Sequence, residues 1–274
     1  MIAFLLKCYL WLDGLVERFA NRVRDAVGGF LEVWLSAEQQ SELVHMFYDG
    51  RVRDGEELHS WEEPWFLAEL PKAPATILVG AAGRGREAQW LAAKGYVVDA
   101  FDPRRDSQDE LRLCARRSAR TSYAEFCDAV LDGRNSAASI FANEHYDAVV
   151  LGWSSFSHII DPEHHARLLE ACVRVTGDGP ILFSYKQSTT VPKIGRARRV
   201  GRTMAQALTY GSPTEKNQRY SYAGRAGFMY AFSDDELIAL AKSMTPPRTV
   251  HWGSRLSYPH AAFVLEKEAQ AMHS

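Results

Sequence analysis

From Thr76 onward, short apolar runs alternate with amphipathic stretches; Ile77-Leu78-Val79, Tyr96-Val97-Val98, Ala148-Val149-Val150-Leu151 and Ile181-Leu182-Phe183 are the clearest. Continuous runs of this length, spaced by helical segments, predict parallel strands covered by helices on both faces. Thr249 to Trp252 and Ala261 to Leu265 read as two last strands, after a helix that the capping box Ser233-Asp234-Asp235-Glu236 starts. Residues 1 to 70 carry no strand signal. Ile2, Leu5, Leu6, Tyr9, Leu12, Val16 and Phe19 fall on one helical stripe, and Ser36 with Gln39 opens a second helix toward Phe47 and Tyr48. Pro71 and Pro74 mark a boundary. The pattern divides the chain into a helical extension, residues 1–70, and an α/β domain, residues 71–274.

Thr76 to Asp102 is the most informative stretch. A strand runs into Gly80-Ala81-Ala82-Gly83-Arg84-Gly85, a helix begins near Arg86, and a second strand ends at Asp102. Glycines let the backbone turn sharply and approach a ligand closely, and a helix amino terminus offers free N–H groups. An acid at the end of the second strand can accept the hydroxyls of a ribose. The order strand, loop, helix, strand, acid points to a nucleoside-containing cofactor. Gly80-Ala81-Ala82-Gly83 also resembles the start of short-chain dehydrogenases, but no tyrosine here has a lysine four residues later, and the pattern's third glycine falls at Arg86. Both absences count against nicotinamide chemistry.

Composition narrows this little. At 46% apolar and 24% charged residues the chain is an ordinary globular one. Cys8, Cys114, Cys127 and Cys172 are far apart with no C-x-x-C pair, which predicts reduced thiols in a cytoplasm and no thiolate metal site. A net charge of −2 predicts neither nucleic acid nor membrane as partner. The run Ile2 to Leu12 lacks a basic region before it, which argues against a signal peptide, and is too short to span a bilayer. A helix packed on the domain, or on a second subunit in a homodimer, is the favoured reading; an interfacial membrane anchor is the alternative.

Residues 74 to 267 resemble the class I S-adenosylmethionine-dependent methyltransferases, and the Gly-Arg-Glu ending of the first motif is closest to bacterial members without assigned substrate. Ile77 to Glu87 looks like their first motif, Tyr96 to Asp102 their second, Tyr146 to Trp153 their fourth strand, and Gly177 to Phe183 the turn into the fifth. The resemblance implies a Rossmann-like, doubly wound, mostly parallel seven-stranded sheet ending in an antiparallel hairpin. It also implies S-adenosyl-L-methionine as cofactor and S-adenosyl-L-homocysteine as product. Gly80, Ala81, Gly83, Gly85, Asp102, Pro103, Gly152 and Trp153 are the cofactor-binding positions it implies. Two positions depart from the family: its usual acid at the end of strand one falls at Val79, and its first glycine at Ala81. The methionyl ammonium then needs another acceptor, the Gly80 carbonyl or a carboxylate of the amino-terminal block. A third strand over Ser118 to Ser122 would place Ser122 and Tyr123 at the adenine; Tyr123 covering the sheet end is the equal alternative.

Acceptor chemistry is expected beyond strand four, at Trp153-Ser154-Ser155-Phe156-Ser157-His158, where His158 is the candidate base. Asp161-Pro162 reads as a helix cap and first turn, which places His164 and His165 on that helix near solvent, with no metal. Residues 186 to 225 hold nine Lys/Arg against Glu215 alone, a local charge of +8 that leaves −10 elsewhere. In the resembled family this insertion, residues 186–227, covers the acceptor as a lid. Arg196, Arg199 and Tyr222 are then the substrate-binding candidates, Arg198 stands beside them, and the expected substrate is a small anionic metabolite methylated at O or N. The alternatives are a solvated basic loop, a nucleic-acid or protein methyltransferase, and a cofactor-binding protein without catalysis.

Overall fold

A computed structural model describes residues 2–48, 57–188, 195–208, 220–222, 227–254 and 256–265. The amino-terminal block is α1 (Ile2–Trp34), α2 (Ala37–Tyr48) and α3 (Glu62–Glu69). Then follow β1 (Thr76–Gly80), α4 (Arg86–Ala93), β2 (Val97–Phe101), α5 (Gln108–Cys114), β3 (Arg117–Ala119), α6 (Tyr123–Asp132), α7 (Ser139–Ala142) and β4 (Ala148–Leu151). After a 3-10 turn at Ser155–His158 come α8 (Pro162–Thr176), β5 (Ile181–Ser184), β6 (Lys186–Gln187), α9 (Arg196–Leu208), β7 (Tyr220–Tyr222) and β8 (Phe228–Phe232). The chain closes with α10 (Asp234–Ser243), β9 (Arg248–Trp252) and β10 (His260–Leu265).

The main sheet has seven strands in the order β3-β2-β1-β4-β5-β10-β9, parallel except for β10, which runs antiparallel to both β5 and β9. The predicted Rossmann-like sheet and its edge hairpin are therefore both present. Alternation along the strands fills two cores. Leu78 faces one with Phe126, Tyr146 and Leu168, while Ile77 and Val79 face the other with Ala88 and Leu91. Trp65, Phe66 and Leu70 belong to that second core, so α3 packs with the strands. Asp161 accepts from the Glu163 amide with Pro162 at the first turn, and both predicted capping boxes form at Ser36 and Ser233.

Two expectations are corrected. The third strand stops at Ala119, and Ser122 caps α6 in a reciprocal box with Glu125. An N-cap hydroxyl three residues before a glutamate satisfies two end amides at once, and this outcompetes strand extension. Before that strand, α5 closes at Cys114, because the Arg116 amide donates to the Val98 carbonyl at 2.6 Å and draws the chain into the ladder. His165, expected near solvent, is buried: it shares the inner face of α8 with Leu168, Leu169 and Cys172 at steps of three and four.

The insertion is placed unexpectedly as well. α9 lies antiparallel along α1, near enough that a Cβ on Gly201 would overlap the Ala26 carbonyl and one on Gly29 the Arg198 carbonyl. Arg198 pairs with Glu32 of α1, which is buried. β8 is flanked by β6, parallel, and β7, antiparallel, in a second sheet.

Candidate cofactor crevice

The winding of the main sheet reverses between β1 and β4, where open α/β sheets bind ligands beyond the strand carboxyl ends. At that edge the loop after β1 turns through three left-handed residues, Ala81 (φ 50°), Gly83 (φ 55°) and Gly85 (φ 86°). Ala81, where the resembled family has a glycine, takes the left-handed conformation despite its Cβ. The loop is fixed from outside: the Ala82 amide donates to the Phe101 carbonyl at 3.0 Å, and the Gly83 amide to Asp102 Oδ2 at 2.8 Å. A Cβ on Gly83 would meet nothing within 4 Å, so the loop is open on that side. Gly152 meets the loop from β4. Its amide donates to the Gly80 carbonyl at 2.7 Å, and any Cβ there would overlap the Ala81 carbonyl.

Asp102 is buried, and burial pushes its carboxyl up against the amides of Arg104 and Gly83 that favour the anion. Its Oδ1 accepts from the Arg104 amide at 2.9 Å and from Ser107 Oγ at 3.3 Å. Asp99, three residues earlier, points to the other core, where Arg116 and Tyr146 hold it.

The structure thus brings Gly80, Ala81, Gly83, Gly85, Asp102, Gly152 and Trp153 to one edge. Pro103 follows Asp102, and its carbonyl accepts from Arg120 at 3.0 Å. Ser122 is committed to its helix cap. Tyr123 bridges Ser155 Oγ at 2.6 Å and the Gly80 carbonyl at 3.3 Å, with its ring edge-on to Phe101, so it closes the sheet end. The Gly80 carbonyl therefore already takes two donors. The other suggested acceptor, a carboxylate of the amino-terminal block, is represented at this edge by Glu62, which is paired with Arg86, while a second carboxylate there comes from α4.

Sequence reasoning missed that carboxylate. Arg86, first residue of α4, pairs with Glu62 of α3 and at 2.6 Å with Glu87. Glu87 Oε1 also accepts from the Trp153 amide at 3.1 Å. Both acids are buried, and burial holds the Glu87 carboxyl above its usual range. One cation and two carboxylates leave the group one negative charge in excess. Its signal in the sequence was the Gly-Arg-Glu that ends the first motif. A second group had no such signal, being scattered along the chain. Trp61 stacks on His260 at 4.4 Å, and Tyr258 lies 5.6 Å from Trp153, which lies 5.0 Å from His59.

His158 Nδ1 lies 3.0 Å from the Phe228 carbonyl oxygen, which can only accept, so the neutral ring carries its basic lone pair on Nε2. Arg196 and Arg199 are exposed on α9, and Tyr222 stands in β7 opposite Phe228. Lys193, Glu215, Lys216, Arg219 and Arg225 lie outside the described residues. Among the described residues no three His, Cys, Asp or Glu side chains are grouped to hold a metal ion.

No protein-family model and no curated protein sequence matches the chain. Solved structures match in fold. A Rhodobacter sphaeroides protein named for the Zn-dependent alcohol dehydrogenases superposes with a TM-score of 0.52 at 13% identity, over 84% of this chain and 97% of its own. A protein of Pyrococcus horikoshii OT3 gives 0.51 at 14% identity, over 75% and 88%. A SAM-dependent methyltransferase from Methanosarcina mazei gives 0.48 at 14%, over 76% and 96%. With its switch point between β1 and β4 and an antiparallel β10 between β5 and β9, the chain has the Rossmann-like, mostly parallel seven-stranded sheet that its sequence leads one to expect.

Proposed function

We propose that the protein is an S-adenosylmethionine-dependent methyltransferase acting on an oxygen or nitrogen of a small molecule. The antiparallel strand β10 carries this reading. Dinucleotide-binding sheets continue 3-2-1-4-5-6 with a further strand of the same winding, whereas here that place is filled antiparallel. The missing Tyr-x-x-x-Lys pair agrees.

The crevice residues fit the cofactor. Gly83 leaves open the side from which a nucleoside would approach, and Asp102 beside it receives the ribose hydroxyls. Glu87 takes the place of the acid absent at Val79 and receives the methionyl ammonium, which neutralises the excess charge it shares with Glu62 and Arg86. When bound, the cofactor supplies an electrophilic methyl group on a sulfonium. The protein then has to orient the acceptor and take its proton. Trp153, Tyr258 and Trp61 offer an aromatic wall beside Glu87 on which a planar acceptor would stack, and His158 Nε2 is the base. Anionic-substrate binding by the insertion has lost part of its support, since Arg198 is neutralised by Glu32 and α9 lies along α1.

The test is thermal stability with added ligand. S-adenosylhomocysteine at a hundred times its dissociation constant should add about 2.7 kcal/mol, roughly 5–10 °C in a domain of this size. Equal shifts with NADH would overturn the assignment.

A further inference from the structure

The methyl-transfer reading leaves the α1–α9 pair without a task. Exposed side chains Leu15, Val16, Phe19, Val23 and Val27 recur along α1 at helical spacing and share one face, with Phe19 69% exposed. On α9, Val200, Met204 and Leu208 stand four residues apart and are 56%, 56% and 60% exposed. Single exposed apolar residues are ordinary, but two neighbouring helices that both present such rows mark an interaction surface.

The charges beside these rows choose the partner. Arg18, Arg22, Arg196, Arg199 and Arg202 have no acidic partner among the described residues, and Arg24 bonds only Asn21. The exposed acids on the same stretches are Glu17 and Asp25. We infer that the α1–α9 pair docks on an anionic phospholipid surface, with apolar side chains at the acyl boundary and arginines among the phosphates. Helices of this kind combine an apolar face with an arginine-rich one and lie in the interface. None of the described helices is long and apolar enough to cross a membrane, which fits a surface position. A second copy of the chain would cover the apolar rows equally, but a two-fold contact would set this arginine-rich face against itself.

Vesicle sedimentation of the full-length protein tests this, with extruded equimolar phosphatidylglycerol and phosphatidylcholine against phosphatidylcholine alone. The protein should pellet with the anionic vesicles at least tenfold more strongly, and 0.5 M NaCl should release it through screening. Phe19→Ser with Val23→Ser, and separately Arg196, Arg199 and Arg202 together→Gln, should each weaken binding at least tenfold with no change in melting temperature. The wild-type comparison of the two lipids needs no variant. The proposal fails if wild-type protein stays in the supernatant with both lipids, or pellets with both alike. It also fails if the lipid-free protein is a dimer that Phe19→Ser with Val23→Ser turns into a monomer, because the face is then a subunit interface.

Discussion

Asp99 with Arg116 and Tyr146, and Glu62 with Arg86 and Glu87, are two buried charge groups on opposite faces of the same sheet. In the first, one fully buried carboxylate receives a two-pronged arginine at 2.9 and 2.7 Å and a tyrosine hydroxyl at 2.9 Å. Both oxygens are bonded and the charge is balanced. In the second, two carboxylates share one arginine, which leaves one negative charge in excess. A balanced buried group serves the fold. An unbalanced one is held at a cost in desolvation, and that cost is recovered when a cation arrives.

The largest effect should come from breaking the balanced group. Arg116→Met leaves Asp99 buried without its counter-charge and should cost about 3–5 kcal/mol in urea unfolding; a loss under 1 kcal/mol would mean that Arg116 is dispensable to Asp99. His165 offers a contrast, a buried titratable group without a charged partner. Burial holds it down to about 4 from 6.5, and its Nε2 has no partner among the described residues. Its stabilisation is complete above the unfolded value and is lost as pH falls from about 6.5 towards 4, roughly 3 kcal/mol in all. His165→Phe should flatten that limb of the stability curve; an unchanged slope would assign acid unfolding to other groups.

The unbalanced group should answer in binding. Glu87→Gln should lower affinity for S-adenosylhomocysteine by ten- to a hundred-fold, about 1.5–3 kcal/mol. Affinity for 5′-methylthioadenosine, which lacks the amino-acid end, should stay the same. Because burial raises the Glu87 carboxyl, its ionisation removes stability as pH rises through the carboxylate range, so Glu87→Gln should melt no lower than wild type at pH 7. An equal loss for both ligands would remove Glu87 from the ammonium site. Asp102→Ala should weaken both ligands alike, since both carry the ribose. Smallest is Ala81→Gly, which relieves a left-handed alanine and should stabilise by about 1 kcal/mol; destabilisation would show that loop entropy outweighs the relief.

The strands of the main sheet other than the third, both capping boxes and the order of motif elements were legible in the sequence because each rests on local periodicity or on a neighbour within four residues. The second sheet, β6 to β8, was not foreseen. Ser122 misled as to where the third strand ends, since a strand end and a capped helix start use the same residue types, while Tyr123 takes the alternative reading and covers the sheet end. Glu62 was visible as an acid but not as a partner, because nothing local ties it to Arg86, twenty-four positions away. The same limit hid Glu32, whose pairing with Arg198 joins positions 166 apart and undid the count of free charge in the insertion. His165 was misplaced by reading a pair of histidines as one polar patch, when on a helix successive residues point about 100° apart.

The contact of Gly29 with Arg198 also imposes an order in time. α1 leaves the ribosome long before α9 exists, and at about 5–20 residues per second the intervening chain takes roughly 10–30 s to make. Throughout that interval α1 lacks both the backbone of α9 against Gly29 and the guanidinium of Arg198 that pairs with Glu32 in the finished fold. Whatever meets the nascent helix first, a lipid surface or a chaperone, does so before the rest of the fold can compete for it.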